Sequence, residues 1–448
     1  MTASRLLLDV STLVRWLGPP TGMIRVEQEL AYAALGRRGV VPVFFDPAAG
    51  AYRGLRPKWA ELLVGPTTAL DAGVPPRRGW RRLVPPRHRA VRWLERHRHG
   101  GGSGAALADR LQRLLFAIPP RYPPMLDREG HRLSMLPADM ALGPPLALGP
   151  ADAMLSPSSD WPYKDTARLA ALKRSSGFRL TVVCYDLIPI THPQFFKPED
   201  GALFTRYWTA MFGIADRVVV NAARIRADVL GFCAGRGLPA PEVSVVPLGF
   251  RLQPPAAALP PLPAGLQPGR FALFVSTIEP RKNHALLLAV WRRLLARGIP
   301  QRHDFRLVFV GRPGWMVDAL LAELRPPVCD GTVLHLTGID DATLDALYQG
   351  AGFCLYPSVY EGFGLPVIEA YARGRAVIAS RGGSLEEVVG GLGPALDPGD
   401  EAAWEAAIAA WIESPEALSA AEARIRQGFR YSGWDEVAER LFALARAA

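Results

Sequence analysis

Tyr360-Glu361-Gly362-Phe363-Gly364-Leu365-Pro366-Val367-Ile368-Glu369 decides how the C-terminal half folds. It follows an apolar run ending near Leu355-Tyr356 and reads as strand, glycine-rich turn and then a helix starting near Leu365-Pro366. Proline is well tolerated in the first turn of a helix, where its missing N–H has no intrahelical partner to lose. The free amides of such a helix start, with small glycines beside them, suit anions and hydroxyl groups. Glu361 falls in the loop before the helix and Glu369 about one turn inside it. Carboxylates so placed can hold hydroxyl groups by accepting their hydrogen bonds. A bare pair of glutamates at this spacing would read as two solvated side chains on a tight turn. The intervening G-F-G-L-P makes the pattern far more specific.

Upstream, Ser276-Thr277-Ile278-Glu279-Pro280-Arg281-Lys282-Asn283 also joins a strand to a helix. Arg281 and Lys282 at that junction can pair with a diphosphate, and the helix start adds its own positive end. Alone, R-K-N is common surface sequence; the order of basic junction, strand Arg306 to Val310, Gly311 and then E-G-F-G gives it weight. Further strands read at Phe271 to Val275, Val333 to Leu336, Phe353 to Leu355 and Ala376 to Ala379, with helical runs such as Ala285 to Ala296 and Ala342 to Gln349 between them. Strands alternating with helices imply a parallel, doubly wound sheet.

The N-terminal half shows the same alternation. Leu6 to Val10 reads as a strand, followed by a loop with Gly18, Pro19, Pro20 and Gly22, a helix from about Ile24 to Leu35, and a strand at Val41 to Phe45. It resumes at Leu180 to Cys184, Asp216 to Val220 and Val243 to Val246. The expected organisation is an N-terminal domain over 1–252, a Pro/Ala-rich linker over 253–269, a second domain over 270–425, and a C-terminal helix within 426–448 packing back toward the first domain. Residues near 76–104 read as an insertion. Between 76 and 100 stand nine arginines, among them Arg77, Arg78, Arg81 and Arg82, against one acid, Glu95, with Trp80 and Trp93 interleaved.

Composition agrees with two folded domains. The chain has 448 residues, 49% hydrophobic and 21% charged, and one core rarely grows past roughly 250 to 300 residues. The net charge of +10 is uneven: residues 1–250 carry 33 basic against 20 acidic side chains, and residues 251–448 carry 19 against 22. The four cysteines stand singly, without C-x-x-C spacing, which argues against a zinc knuckle or a disulfide scaffold and for a reducing compartment. Asp9 and Arg15 interrupt the first apolar run and spoil it as a signal peptide. No apolar stretch reaches the roughly 18 residues that a membrane-spanning helix needs.

These residues, in this order, resemble the retaining glycosyltransferases of family 4. The matching parts are V-S-T-I-E-P-R-K-N, L-V-F-V-G, L-T-G, L-Y-P-S-V-Y-E-G-F-G-L-P-V-I-E-A and S-R-G-G-S-L-E-E-V-V-G, over about residues 271–397. The N-terminal half resembles the family more weakly, through T-G-M-I-R-V-E-Q-E-L, Y-D-L-I-P, A-D-R-V-V-V and V-V-P-L-G. The resemblance implies the GT-B fold, two Rossmann-like doubly wound domains facing a cleft. The P-R-K-N wording is similar to the mannosyltransferase branch, which builds bacterial polysaccharides and often uses GDP-mannose. The resemblance further implies that Lys282 and Arg281 hold the donor diphosphate, Glu361 meets the transferred sugar and Glu369 the ribose. Amides of Gly362, Phe363, Gly364 and Leu365 would bind sugar hydroxyls or phosphate, Gly338 would lie near the base, and Gly22 would let the backbone approach the phosphates. Glu361 and Asp186, the latter in Y-D-L-I-P, are the catalytic candidates. Two positions depart from the family pattern: Ser276-Thr277 stands where many relatives carry Gly-Arg, and Tyr185 where many carry His.

A metal-dependent transferase of the other common fold usually shows a D-x-D pair, and none is present; Walker A, G-x-S-x-G and H-E-x-x-H are absent too. His192, His284 and His335 read as structural or surface residues. The expectation is a hexosyltransferase, mannose favoured, acting on a polysaccharide or lipid-linked glycan, with a nucleotide-sugar as co-substrate and neither cofactor nor metal. A nucleotide-sugar epimerase on the same fold and a non-catalytic assembly subunit are the alternatives. The arginine-rich segment 76–100 reads as a contact with an anionic membrane surface at the cytoplasmic face, against a solvated loop as the plain reading. Nucleic acid is not an expected partner, since no recognition fold accompanies the charge.

Overall fold

The computed structural model describes residues 4–15, 22–46, 49–56, 124–126, 132–137, 142–157, 160–161, 164–251, 259–324 and 331–447. The arginine-rich segment 76–100 and the first part of the 253–269 linker lie outside these residues.

The N-terminal domain is built on an eight-stranded sheet. Its strands are β1 (Leu6–Asp9), β2 (Val40–Asp46), β3 (Ala51–Leu55), β6 (Leu142–Pro145), β7 (Ala153–Ser156), β8 (Arg179–Cys184), β9 (Arg217–Val220) and β10 (Glu242–Val245), in the order β10-β9-β8-β7-β1-β2-β3-β6. The run from β10 to β2 is parallel; β3 and β6 add antiparallel to that edge. A separate hairpin pairs β4 (Pro124–Leu126) with β5 (Arg132–Pro137). The central strands are apolar on both faces because helices cover both faces. Leu6 and Leu8 of β1 join one core and Leu7 the other, as the two-residue period of a strand requires.

The second domain holds a six-stranded, all-parallel sheet of β11 (Phe271–Val275), β12 (Arg306–Val310), β13 (Val333–Leu336), β14 (Phe353–Tyr356), β15 (Val377–Ser380) and β16 (Ala395–Leu396), ordered β13-β12-β11-β14-β15-β16. Its core centres on Phe271, Phe274, Trp291, Phe309, Phe353 and Trp404, each at most 1% exposed. Leu262 and Leu266, expected in a free linker, pack against this core. Apolar side chains spaced four apart, with an ordered backbone between them, turn the later half of the linker into the rim of the second domain. The chain then crosses back. The helix Trp434–Ala447 places Trp434, Val437, Ala438, Leu441, Phe442 and Ala445 in the core that β1 shares with the helix Gly22–Ala34. Those positions recur at three- and four-residue steps, the apolar stripe of an amphipathic helix.

Candidate functional site

Two loops meet at the C-terminal edge of the second sheet. After β11 the chain makes one tight turn, Pro280–Lys282, and enters the helix His284–Ala296. Asn283 takes the left-handed conformation, φ 61°, at that corner. After β14 the chain runs through Pro357 to Gly364 into the helix Leu365–Ala372. Because β11 and β14 are neighbours, the loops lie side by side, and Val359 N donates to the Arg281 carbonyl at 2.8 Å. Lys282 Nζ then stands 2.5 Å from Glu361 Oε1 and 3.1 Å from the Tyr356 hydroxyl. Arg281 lies 2.8 Å from the same Glu361 oxygen and 2.5 Å from Glu279 Oε1. Both acids are buried. Burial opposes the charge on Glu361, but the Arg281 and Lys282 charges outweigh it and hold the carboxyl at about 2. Burial draws Lys282 below its ordinary value against the pull of Glu361. His284, behind this loop, is buried with Nε2 3.3 Å from Ser276 Oγ. Burial and the nearby Lys282 hold it neutral, at about 3.

The S-R-G-G-S motif pins the glutamate. Glu361 forms a parallel bridge to Gly383, and Ser384 N donates to its carbonyl at 2.9 Å. Gly383 has φ +67°, and a β-carbon there would lie 2.3 Å from the Glu361 carbonyl oxygen, so no larger residue fits. Gly362 faces the other domain. A β-carbon on it would come within 2.6 Å of the Tyr185 carbonyl and 2.9 Å of Asp186 Cβ. Asp186 is thus brought directly against the E-G-F-G turn. Its carboxylate accepts from Ile188 N at 3.0 Å. Burial raises it above the usual carboxylate range despite that bond and the Arg281 charge. Tyr185 points the other way: its hydroxyl donates to the Pro157 carbonyl at 2.9 Å inside the N-terminal core. The position that carries His in many relatives therefore offers no side chain to the cleft here.

The remaining expected residues are placed as follows. Glu369 accepts from Tyr348 OH at 2.9 Å and pairs with Arg25 Nη1 at 3.3 Å, reaching across to the helix that Gly22 begins. Gly22 and Gly338 have positive φ and open space where a β-carbon would stand. Gly338 follows the edge strand β13, two strands from β11, and so lies apart from the ion cluster. Gly364, φ +111°, and Leu365 open their helix, which has no side-chain cap. Phe363 lines a cavity of about 400 Å³ between the domains, with Asn221, Val245, Pro247, Ile368 and Arg430.

Residues 269–414 match the family described as Glycosyl transferases group 1. The C-terminal unit is a group 1 glycosyl transferase domain. O-antigen chain mannosyltransferase B of Escherichia coli is 36% identical over 168 residues, 38% of this chain and 39% of that protein. The serotype-specific mannosyltransferase WbdA of E. coli is 30% identical over 217 residues, 46% of this chain and 26% of that protein. The aligned segments thus span well under half of either relative. Among solved structures, Anabaena Alr3699/HepE in complex with UDP and glucose aligns over 99% of this chain and 100% of its own, with a TM-score of 0.57 at 15% identity. That likeness is one of fold, and the chain has the GT-B fold; its resemblance to bacterial mannosyltransferases rests on the sequence matches.

Opposite the group 1 domain, the N-terminal sheet carries a buried polar network that sequence reading missed. Lys164 Nζ lies 2.9 Å from Asp9 Oδ2, 2.9 Å from Ser156 Oγ and 3.1 Å from Asp160 Oδ2. Tyr52 donates to Asp9 at 3.2 Å and Tyr207 to Asp160 at 3.3 Å. Burial works against the charge on Asp9, and Lys164 with hydrogen bonds from Ser11 outweighs it, keeping the carboxyl below its ordinary value. Glu27, which accepts from Leu13 N at 2.8 Å, is raised far above its ordinary value by burial. Asp9 and Ser156 end β1 and β7, so the network underlies the strand ends that face the cleft. One signal was available: an aspartate closing an otherwise apolar strand must find a partner. The identity of that partner, 155 residues away, was not readable.

Proposed function

We propose that the chain is a retaining glycosyltransferase that moves a hexose, mannose favoured, from a nucleotide-sugar to a polysaccharide or lipid-linked glycan acceptor at the cytoplasmic face of the membrane. The observation that carries this reading is the buried Lys282–Glu361–Arg281 cluster at the edge of β11 and β14, faced across the cleft by Asp186.

Donor cleavage builds negative charge on the leaving diphosphate and positive charge on the sugar. Lys282 and Arg281 supply fixed positive charge for the first. Glu361, which the Arg281 and Lys282 charges keep ionised at neutral pH, supplies fixed negative charge for the second. Such preorganised charge in a site shielded from water stabilises a transition state without rearrangement. The Glu361 contact holds both cations in place; a bound diphosphate would share them through their remaining N–H groups. Glu369, held by the buried Tyr348 hydroxyl, would meet the ribose. Retention follows from the resemblance to family 4, with attack on the same face and the leaving phosphate as base. Because the relatives are named mannosyltransferases, this reading favours GDP-mannose as the donor, as the family resemblance implies, and it calls for no metal.

A thermal-shift panel of GDP-, UDP-, ADP- and dTDP-sugars tests it. The matching donor, at about 100 times its dissociation constant, should stabilise the protein by roughly 2.7 kcal/mol. A flat response across all four would contradict the reading.

A further inference from the structure

Tyr360 is held at both ends, by different domains. Its ring is buried, 4% exposed. Its hydroxyl donates to Asp228 Oδ2 and accepts from Arg224 Nε at 3.0 Å. The His192 ring packs on it with centroids 4.4 Å apart. All three partners belong to the N-terminal domain. Its main-chain carbonyl instead accepts from Arg281 Nη1 at 2.6 Å, and that same nitrogen lies 2.8 Å from Glu361 Oε1.

A second contact grips the same N-terminal helix, Ala223–Ala234. Ala222 is its N-cap, and the helix has no side-chain cap of its own. Glu387, from the second domain, accepts from Ala223 N at 2.8 Å and from Arg224 N at 2.7 Å. A carboxylate at a helix N-terminus satisfies free amides and meets the positive end of the helix dipole. One helix of the N-terminal domain is therefore clasped at its first turn by Glu387 and one turn further by Tyr360. The residue after Tyr360 is the central glutamate of the donor site. Neither the helix-end cap nor the Tyr360 hydroxyl bonds can survive separation of the domains. The Tyr360 carbonyl joins Glu279 and Glu361 in holding the Arg281 guanidinium.

We propose that Tyr360 is a positioning residue, tying closure of the N-terminal domain to the placement of Arg281 and Glu361. The proposal deepens the glycosyl-transfer reading and rests on it.

The test compares wild type, Tyr360→Phe, Asp228→Ala and the double variant by kcat, by nucleotide affinity in calorimetry, and by backbone amide exchange. Tyr360→Phe keeps the ring against His192 and loses the hydroxyl. It should lower kcat about tenfold while nucleotide affinity stays within about twofold. Asp228→Ala should do the same, the double variant should be no worse than either single one, and Asp228→Asn, whose amide oxygen still accepts, should recover most of the loss. Wild-type kcat in Tyr360→Phe, an equal fall in affinity, or losses that multiply in the double variant would overturn the proposal. If wild type transfers no sugar from any donor, the transfer reading fails, and amide exchange alone decides the positioning role. Faster exchange in Tyr360→Phe at both 223–228 and 281–283 would uphold it. A change confined to 223–228 would overturn it.

Discussion

Asp186 and Glu361 are carboxylates on facing sides of one cleft, and their surroundings push them in opposite directions. Glu361 sits between two cations and is held at about 2. Its contribution to stability is complete above the ordinary glutamate range and is lost as pH falls from there toward 2. Asp186 is raised by burial, so its charged form is the unfavourable one in the folded protein. Asp186→Asn should therefore raise the melting temperature relative to wild type at pH 7. The gain should shrink as pH falls through the raised Asp186 value toward the unfolded one. Paired melting curves at pH 7 and at an acidic pH check this, and a gain that grows on acidification would contradict the assignment. The residues that the structure brings together were unevenly legible. Glu361, Lys282 and Arg281 announced themselves through the motifs around them. Arg25, Tyr360 and Lys164 did not, because each acts through a partner more than 70 positions away in sequence and local pattern carries no such information.

Elements were easier to read than their partners. The strands of the second domain follow apolar runs because a parallel sheet buried on both faces requires them. The N-terminal strands β3, β6 and β7 escaped notice: β7 is only Ala153–Ser156, and β3 and β6 hold Gly54 and Pro144-Pro145, residue types that weaken a strand pattern. The last helix, expected within 426–448, runs from Trp434 to Ala447. Its tie to the first domain is energetic as well as topological, since Phe442 is 1% exposed in the core shared with Leu6, Leu8 and Leu30. Phe442→Ala should cost about 3–5 kcal/mol, seen as an earlier denaturant midpoint for the N-terminal domain. A midpoint unchanged from wild type would show that this helix does not hold that domain.

At the scale of the whole molecule, the two sheets turn their C-terminal strand edges toward each other, and chemistry collects where those edges meet. Gly362 against Tyr185 and Asp186, Glu387 on the helix Ala223–Ala234, and Glu369 on Arg25 all cross that boundary. The site therefore belongs to the closed pair of domains, with its fixed charges in the second domain and Asp186 in the first. The central claim is that Glu361 supplies charge to the reacting sugar while other groups bind the nucleotide. The most direct measurement is nucleotide release from the donor that the thermal-shift panel selects, by wild type and Glu361→Gln, with nucleotide affinity measured alongside. The account predicts turnover lower by about a hundredfold or more in Glu361→Gln, at nearly unchanged nucleotide affinity. Turnover at the wild-type rate in that variant would contradict it.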